Sequence, residues 1–142
     1  MPPAILLVDD EERFRQTLSK RLTERGLEVS TAGNGMEALE EIKKTDFDVV
    51  VLDVKMPVLD GIQTLAEIKK IKPQLEVLLL TGHASVDSAV DGMRLGAYDY
   101  LMKPCDIDVL LDKIYGAYES KTGREERLRL AEASRRKERG PA

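Results

Sequence analysis

Tryptophan is absent, and one cysteine (Cys105) and one histidine (His83) stand in 142 residues. A lone cysteine excludes an intrachain disulfide and suits a reducing compartment. A lone histidine excludes a histidine cluster for zinc. Aromatics are 4% of the chain, so a core must be built from Val, Leu, Ile and Ala. No apolar run approaches the roughly 20 residues that cross a bilayer. Met1-Pro2-Pro3-Ala4 lacks the basic start and long apolar stretch of a signal peptide. These absences lead us to expect a soluble, cytoplasmic protein with no membrane partner. Gly33-Asn34-Gly35 lacks the glycine spacing of a phosphate-cradling loop and reads as a turn.

The length fits one domain of ordinary size plus a short extension. The net charge of −4 is unevenly placed: from Lys121 onward stand eight Lys/Arg and four Asp/Glu, a net of +4, which leaves −8 on residues 1–120. We expect a globular domain over 1–120 and a charged extension over 121–142, helical or disordered. Glu125–Arg129 and Glu132–Arg136 have i,i+4 spacing in the favourable order for a helix. Direct nucleic-acid binding is not expected of so acidic a domain.

The most informative stretch is Phe47-Asp48-Val49-Val50-Val51-Leu52-Asp53. A short valine-rich run reads as a strand buried on both faces. Met56-Pro57 and Asp60-Gly61 then break the pattern, so the strand ends at Asp53. Similar runs are Ala4–Val8, ending in Asp9-Asp10; Leu75–Leu80, ending in Thr81-Gly82; and Tyr98–Met102, ending in Lys103-Pro104. Leu27, Val29 and Thr31 alternate with polar residues, as on a strand nearer a sheet edge.

Helical spacing separates the strands. Phe14, Leu18 and Leu22 mark one helix, which Gly26 stops; Ala38, Leu39 and Ile42 mark another. Asp60 is an N-cap candidate before Ile62, Leu65, Ala66 and Ile68. Ser85 can cap a helix with Val86, Ala89, Val90 and Met93 on one side, closed by Gly96, and Asp106 can cap one carrying Ile107, Leu110, Leu111, Ile114 and Tyr118. Strict βα alternation predicts an α/β fold, a five-stranded parallel sheet with helices on both faces. Right-handed crossovers leave few topologies, and the order 2-1-3-4-5 is the natural one.

In a parallel sheet every carboxyl end lies on one edge. That edge gathers Asp9, Asp10, Asp53, Thr81 and Lys103, and the winding reverses between strands 1 and 3, where open α/β sheets bind ligands. Alone, Asp53 reads equally well as a solvated strand end; the other strands change that. Three close carboxylates raise one another's pKa, which a divalent cation relieves. Oxygen-only ligands suit Mg²⁺. Asp53 can then serve as a nucleophile, with Lys103 pairing a phosphoryl oxygen and Thr81 donating to another.

Val8-Asp9-Asp10, Asp53 with Met56-Pro57 and Asp60-Gly61, Thr81-Gly82, and the run Gly96 to Pro104 together resemble the response-regulator receiver domain of bacterial two-component signalling. The resemblance covers roughly residues 4–119. It implies a flavodoxin-like fold and informs the strand order above. It implies that Asp53 accepts a phosphoryl group from a sensor histidine kinase or a phosphotransfer protein. Asp10 would ligate Mg²⁺ directly, Asp9 mainly through water, and the Lys55 backbone carbonyl would be a further ligand. Lys103 would contact the acyl phosphate, with Pro104 after a cis peptide. Thr81 and Tyr100 would form the switch, and the fourth helix, fifth strand and fifth helix would bind a downstream protein or a second copy as a homodimer. Lys55 and His83 would flank the site and tune phosphoaspartate hydrolysis.

On that reading the chain is no enzyme with a turned-over substrate; it phosphorylates itself and slowly loses the group. One alternative is that it forms the N-terminal piece of a longer transcription activator. An aspartate-nucleophile phosphatase would place a second aspartate two residues after the first strand's nucleophile, and Asp9-Asp10-Glu11 lacks that spacing. A flavodoxin-like electron carrier would need a Ser/Thr-rich phosphate loop after strand 1, which is missing.

Overall fold

The structure, a computed structural model, describes residues 2–82 and 86–139. His83, the Ser85 cap and the Gly140-Pro141 end of the extension lie outside them. Five strands, β1 (Ala4–Val8), β2 (Glu28–Ala32), β3 (Val49–Asp53), β4 (Glu76–Thr81) and β5 (Asp99–Met102), alternate with five helices, α1 (Glu12–Glu24), α2 (Gly35–Lys44), α3 (Gly61–Ile71), α4 (Val86–Arg94) and α5 (Ile107–Arg139). Every strand pairing is parallel, in the order β2-β1-β3-β4-β5. The expected topology is the observed one.

The alternation of side chains along each strand divides the core into two halves. Leu6, Val8, Val50, Leu52, Val77 and Leu79 face Ala38 and Ile42 of α2 and Leu65 and Ile68 of α3. Ile5, Leu7, Val49, Val51, Leu78 and Leu80 face Leu18 and Leu22 of α1 and Leu110, Ile114 and Ala117 of α5. β3 and β4 are buried along their whole length, which is why they read as unbroken apolar runs. β2 lies at the edge, as its alternating pattern predicts, and is mostly open to solvent apart from Ala32.

Local signals set the helix ends. Asp60 and Gln63 form a reciprocal capping box at the start of α3. Asn34, inside the predicted turn, accepts from the Glu37 amide and caps α2. Asp106 accepts from the Asp108 amide at the start of α5. Gly26 and Gly96 follow α1 and α4 with φ of 91° and 103°, the left-handed geometry that ends a helix without a Cβ clash.

Two expectations are corrected. Val90 and Met93 of α4 do not share the buried side of Ala89; they are 42% and 37% exposed, whereas Ala89 is fully buried. The inward line of α4 runs through Ala89 and Gly92. A Cβ at Gly92 would collide with Leu79 and lie 3.1 Å from Ile62, so the helix sits too close to admit large side chains there. In the extension, Arg129 pairs with Glu126, one turn back at i,i+3, and Glu125 pairs with Lys121 instead of Arg129. The side chain of Arg136, the other proposed partner, lies outside the described residues. The extension itself is helical: α5 continues unbroken from Ile107 to Arg139, about 50 Å at 1.5 Å per residue.

Candidate functional site

The carboxyl ends of β1, β3, β4 and β5 meet as expected. Asp9 follows β1, Asp53 ends β3, Thr81 ends β4, and Lys103 follows β5. Asp9, Asp53 and Thr81 are buried, with exposures of 0%, 5% and 0%. Asp10 faces solvent. A carboxylate oxygen from each of Asp9, Asp10 and Asp53 lies within 4.8 Å of the others. Lys103 Nζ donates to Asp9 Oδ2 at 2.7 Å and stands 3.6 Å from Asp53 Oδ1. The peptide between Lys103 and Pro104 is cis, as the resemblance implied.

The surroundings hold these groups in place. The Glu11 amide donates to Asp9 Oδ1 at 2.9 Å, and Arg15 Nη1 donates to the Asp9 carbonyl at 2.6 Å. The Lys55 amide donates to Asp53 Oδ1 at 3.3 Å. The loop after Asp53 turns back sharply: the Gly61 amide bonds to the Val54 carbonyl at 2.8 Å. A Cβ at Gly61 would collide with the Asp53 carbonyl oxygen and lie 2.6 Å from Val54 Cα.

Burial, followed by the like charge of Asp9, pushes Asp53 up to about 6; Lys103 opposes both. Burial pulls the Lys103 ammonium down, but its hydrogen bond to Asp9 and the charges of Asp53 and Asp9 outweigh this, and its pKa is raised. The two shifts agree: a buried pocket with neighbouring acids disfavours the Asp53 charge and favours the Lys103 cation. Three clustered hard oxygen donors with one ammonium fit a small divalent cation such as Mg²⁺. Asp9, Asp10 and Asp53 would hold it, and it would supply charge neutralisation at the acceptor carboxylate.

The remaining expected residues are less engaged. Lys55 has an exposed side chain. The Thr81 hydroxyl donates to the Gly82 carbonyl at 3.0 Å. Tyr100 is half-buried against the α2–α3 half of the core. Cys105 is half-buried among the α1–α5 residues. Two contributors were not assigned from the sequence. Arg15 had no signal. Helical spacing marks Phe14 only as a core position, yet Lys103 Nζ lies 4.3 Å from its ring centroid. A groove of about 480 Å³ at the other end of the sheet, lined by Phe47, Lys72, Leu75 and Lys121 among others, shares no residue with the acid cluster.

Known proteins similar to this chain in sequence and in fold are numerous. Transcriptional regulatory protein ZraR of Klebsiella oxytoca is 44% identical over 106 residues, 75% of this chain and 24% of ZraR. Transcriptional regulatory protein GlrR of Escherichia coli K12 is 38% identical over 135 residues, 94% of this chain and 30% of GlrR. The chain thus spans about a quarter to a third of the length of these relatives. Among solved structures, a receiver domain protein of Clostridium thermocellum superposes with a TM-score of 0.82 at 39% identity, covering 84% of this chain and 97% of that one. NtrX of Brucella abortus superposes with a TM-score of 0.85 at 36% identity, covering 92% of this chain and 30% of NtrX. The family model for the response regulator receiver domain matches residues 5–115. By the strand order, by the acid cluster facing Lys103 and by this match, the chain belongs to the response regulator receiver domain family.

Proposed function

We propose that this receiver takes a phosphoryl group onto Asp53 from the phosphohistidine of a sensor histidine kinase or a phosphotransfer protein, with Mg²⁺ as cofactor. The observation that carries the reading is the approach of Lys103 Nζ to 3.6 Å from Asp53 while it bonds Asp9. One Asp53 oxygen attacks phosphorus as the N–P bond breaks, and the electron pair leaves with the imidazole nitrogen. Lys103 lies beside the position where the phosphoryl oxygens gain charge, and Asp9 holds its ammonium there. The protein turns over no separate substrate; later attack of water on the acyl phosphate resets it.

The new charge would draw the Thr81 hydroxyl from Gly82 towards the phosphoryl group and let Tyr100 rotate inward. The output surface is α4-β5-α5. Val90, Met93 and Leu95 on and after α4, and Val109 and Tyr115 on α5, are large apolar side chains left 37–46% exposed. A downstream protein, or a second copy forming a homodimer, would cover them. The greater length of ZraR, GlrR and NtrX favours a second reading of the output, in which the α5 extension leads to further domains of a longer transcription activator. Among the described residues no helix is long and apolar enough to cross a membrane, which suits a kinase partner's cytoplasmic side.

Incubation with a small acyl-phosphate donor and Mg²⁺, read by intact mass, tests the reading. One added phosphoryl group is expected on the wild type and none on Asp53→Asn. An unmodified wild type, or equal modification of both, overturns it.

A further inference from the structure

We propose that Phe14 is a positioning residue for Lys103: its ring face holds the ammonium beside Asp53 without neutralising it. The inference rests on the phosphoacceptor reading above. Phe14 lies on the first turn of α1, half-buried against the α1–α5 half of the core. Lys103 arrives from the other end of the chain, after β5, and its Nζ stands 4.3 Å from the ring centroid, well inside the reach of a cation–π contact.

An ammonium has three donors and no acceptor. Asp9 takes one at 2.7 Å, and Asp53 lies 3.6 Å away. The ring covers a further side. The Lys103 side chain is only 19% exposed, so little water competes for it. The chemistry of that wall matters. A further carboxylate in its place, beside Asp9 and Asp53, would add negative charge and compete with an incoming phosphoryl group for the ammonium. An aliphatic residue would fill the space but attract nothing, and a four-carbon stem with free rotors would sample other positions. A π face attracts the cation, takes no proton and adds no charge. It restrains Lys103 while leaving its charge available to the phosphoryl oxygens.

Phe14→Leu keeps most of the volume and removes the quadrupole; Phe14→Tyr keeps both. Each variant is made in the wild-type and the Lys103→Ala backgrounds, and the rate of Asp53 phosphorylation by a small acyl phosphate with Mg²⁺ is followed by intact mass. Phe14→Leu is expected to slow the reaction about three- to tenfold, Phe14→Tyr to stay near wild type, and Phe14→Leu to add nothing once Lys103 is gone. Equal slowing in both backgrounds would mean that Phe14 acts through packing, and no slowing in the wild-type background would mean that it does not act on the reaction; either overturns the proposal. Proton NMR of the unphosphorylated protein gives a readout independent of activity. The Lys103 ε-methylene protons should be shifted upfield by the ring and lose that shift in Phe14→Leu; an unshifted wild type overturns the proposal too. If the wild type takes no phosphoryl group at all, the functional reading fails, and the NMR result still decides whether the ring holds the lysine.

Discussion

Glu76, the first residue of β4, is 3% exposed, and its carboxylate receives Arg124 Nη2 of α5 at 2.8 Å. One turn earlier on α5, Lys121 Nζ bonds Asp48 at 3.2 Å and Glu125 at 3.0 Å. Asp48 in turn accepts from the Ala4 amide at 2.8 Å. The amino-end rim of the sheet therefore grips α5 at residues 121–125. From Glu125 to Arg135 the side chains are exposed. Arg124→Ala leaves the buried Glu76 carboxylate with only the more distant charge of Lys69, a larger loss than removing an exposed pair. Arg124 is itself partly open to solvent, so we expect a loss of about 1–2 kcal/mol in urea denaturation. Hydrogen exchange should quicken from about Lys121 outward. Unchanged exchange there would show that the grip does not anchor the extension.

The raised pKa of Asp53 makes stability depend on pH with a definite sign. The folded state holds the Asp53 proton up to about 6, whereas an unfolded aspartate releases it near 4. The native state thus binds more protons between these values, and stability falls as pH rises from about 4 to about 6. Asp53→Asn removes this loss. It should be more stable than wild type at pH 7.5, by on the order of 2 kcal/mol without divalent cation, and the advantage should shrink towards pH 4. Thermal unfolding at both pH values in a chelator checks it; an advantage that does not change with pH would contradict it.

Lys103 is the cation between two buried carboxylates. Its removal in Lys103→Ala leaves Asp9 and Asp53 to repel each other, which should cost about 2 kcal/mol in chelator. A divalent cation can then replace the lost charge. Excess Mg²⁺ should therefore raise the Tm of Lys103→Ala more than that of the wild type. Equal gains would show that the ammonium and the metal site are not coupled.

Gly61 leaves no room for a methyl group beside the Asp53 carbonyl oxygen and Val54 Cα. Both neighbours are backbone and cannot swing aside. Gly61→Ala should cost about 3 kcal/mol by forcing the loop after β3 away from α3. It should also slow Asp53 phosphorylation. An alanine variant as stable as wild type would mean that the close approach is not strained by a Cβ.

The fold was legible where local chemistry and burial agree. Val49–Asp53 is apolar without alternation because both faces are covered, and Asp60, Gly26 and Gly96 punctuate the helices by backbone rules that act within a turn. α4 was misread for a physical reason. Periodicity assigns large apolar residues to the inside, but the helix packs so tightly on Leu79 that Ala89 and Gly92 face in, and Val90 and Met93 are left outside. The site's acids and its lysine were legible because parallel strands bring their carboxyl ends to one edge. Their supports were not: Arg15 on the Asp9 carbonyl and Phe14 under Lys103 are meetings of residues whose own neighbours say nothing of them.

The sequence by itself determined the βα alternation, the caps at Asp60 and Asp106 and the set of groups that share one rim, because each follows from short-range pattern and the direction of the strands. Tertiary structure alone decided which charges pair across the molecule, as with Arg124 and Glu76, Lys121 and Asp48, and Lys103 between Asp9 and Phe14. A charged side chain takes its partner from what packing brings within about 4 Å, and in this chain the packing joins residues dozens of positions apart.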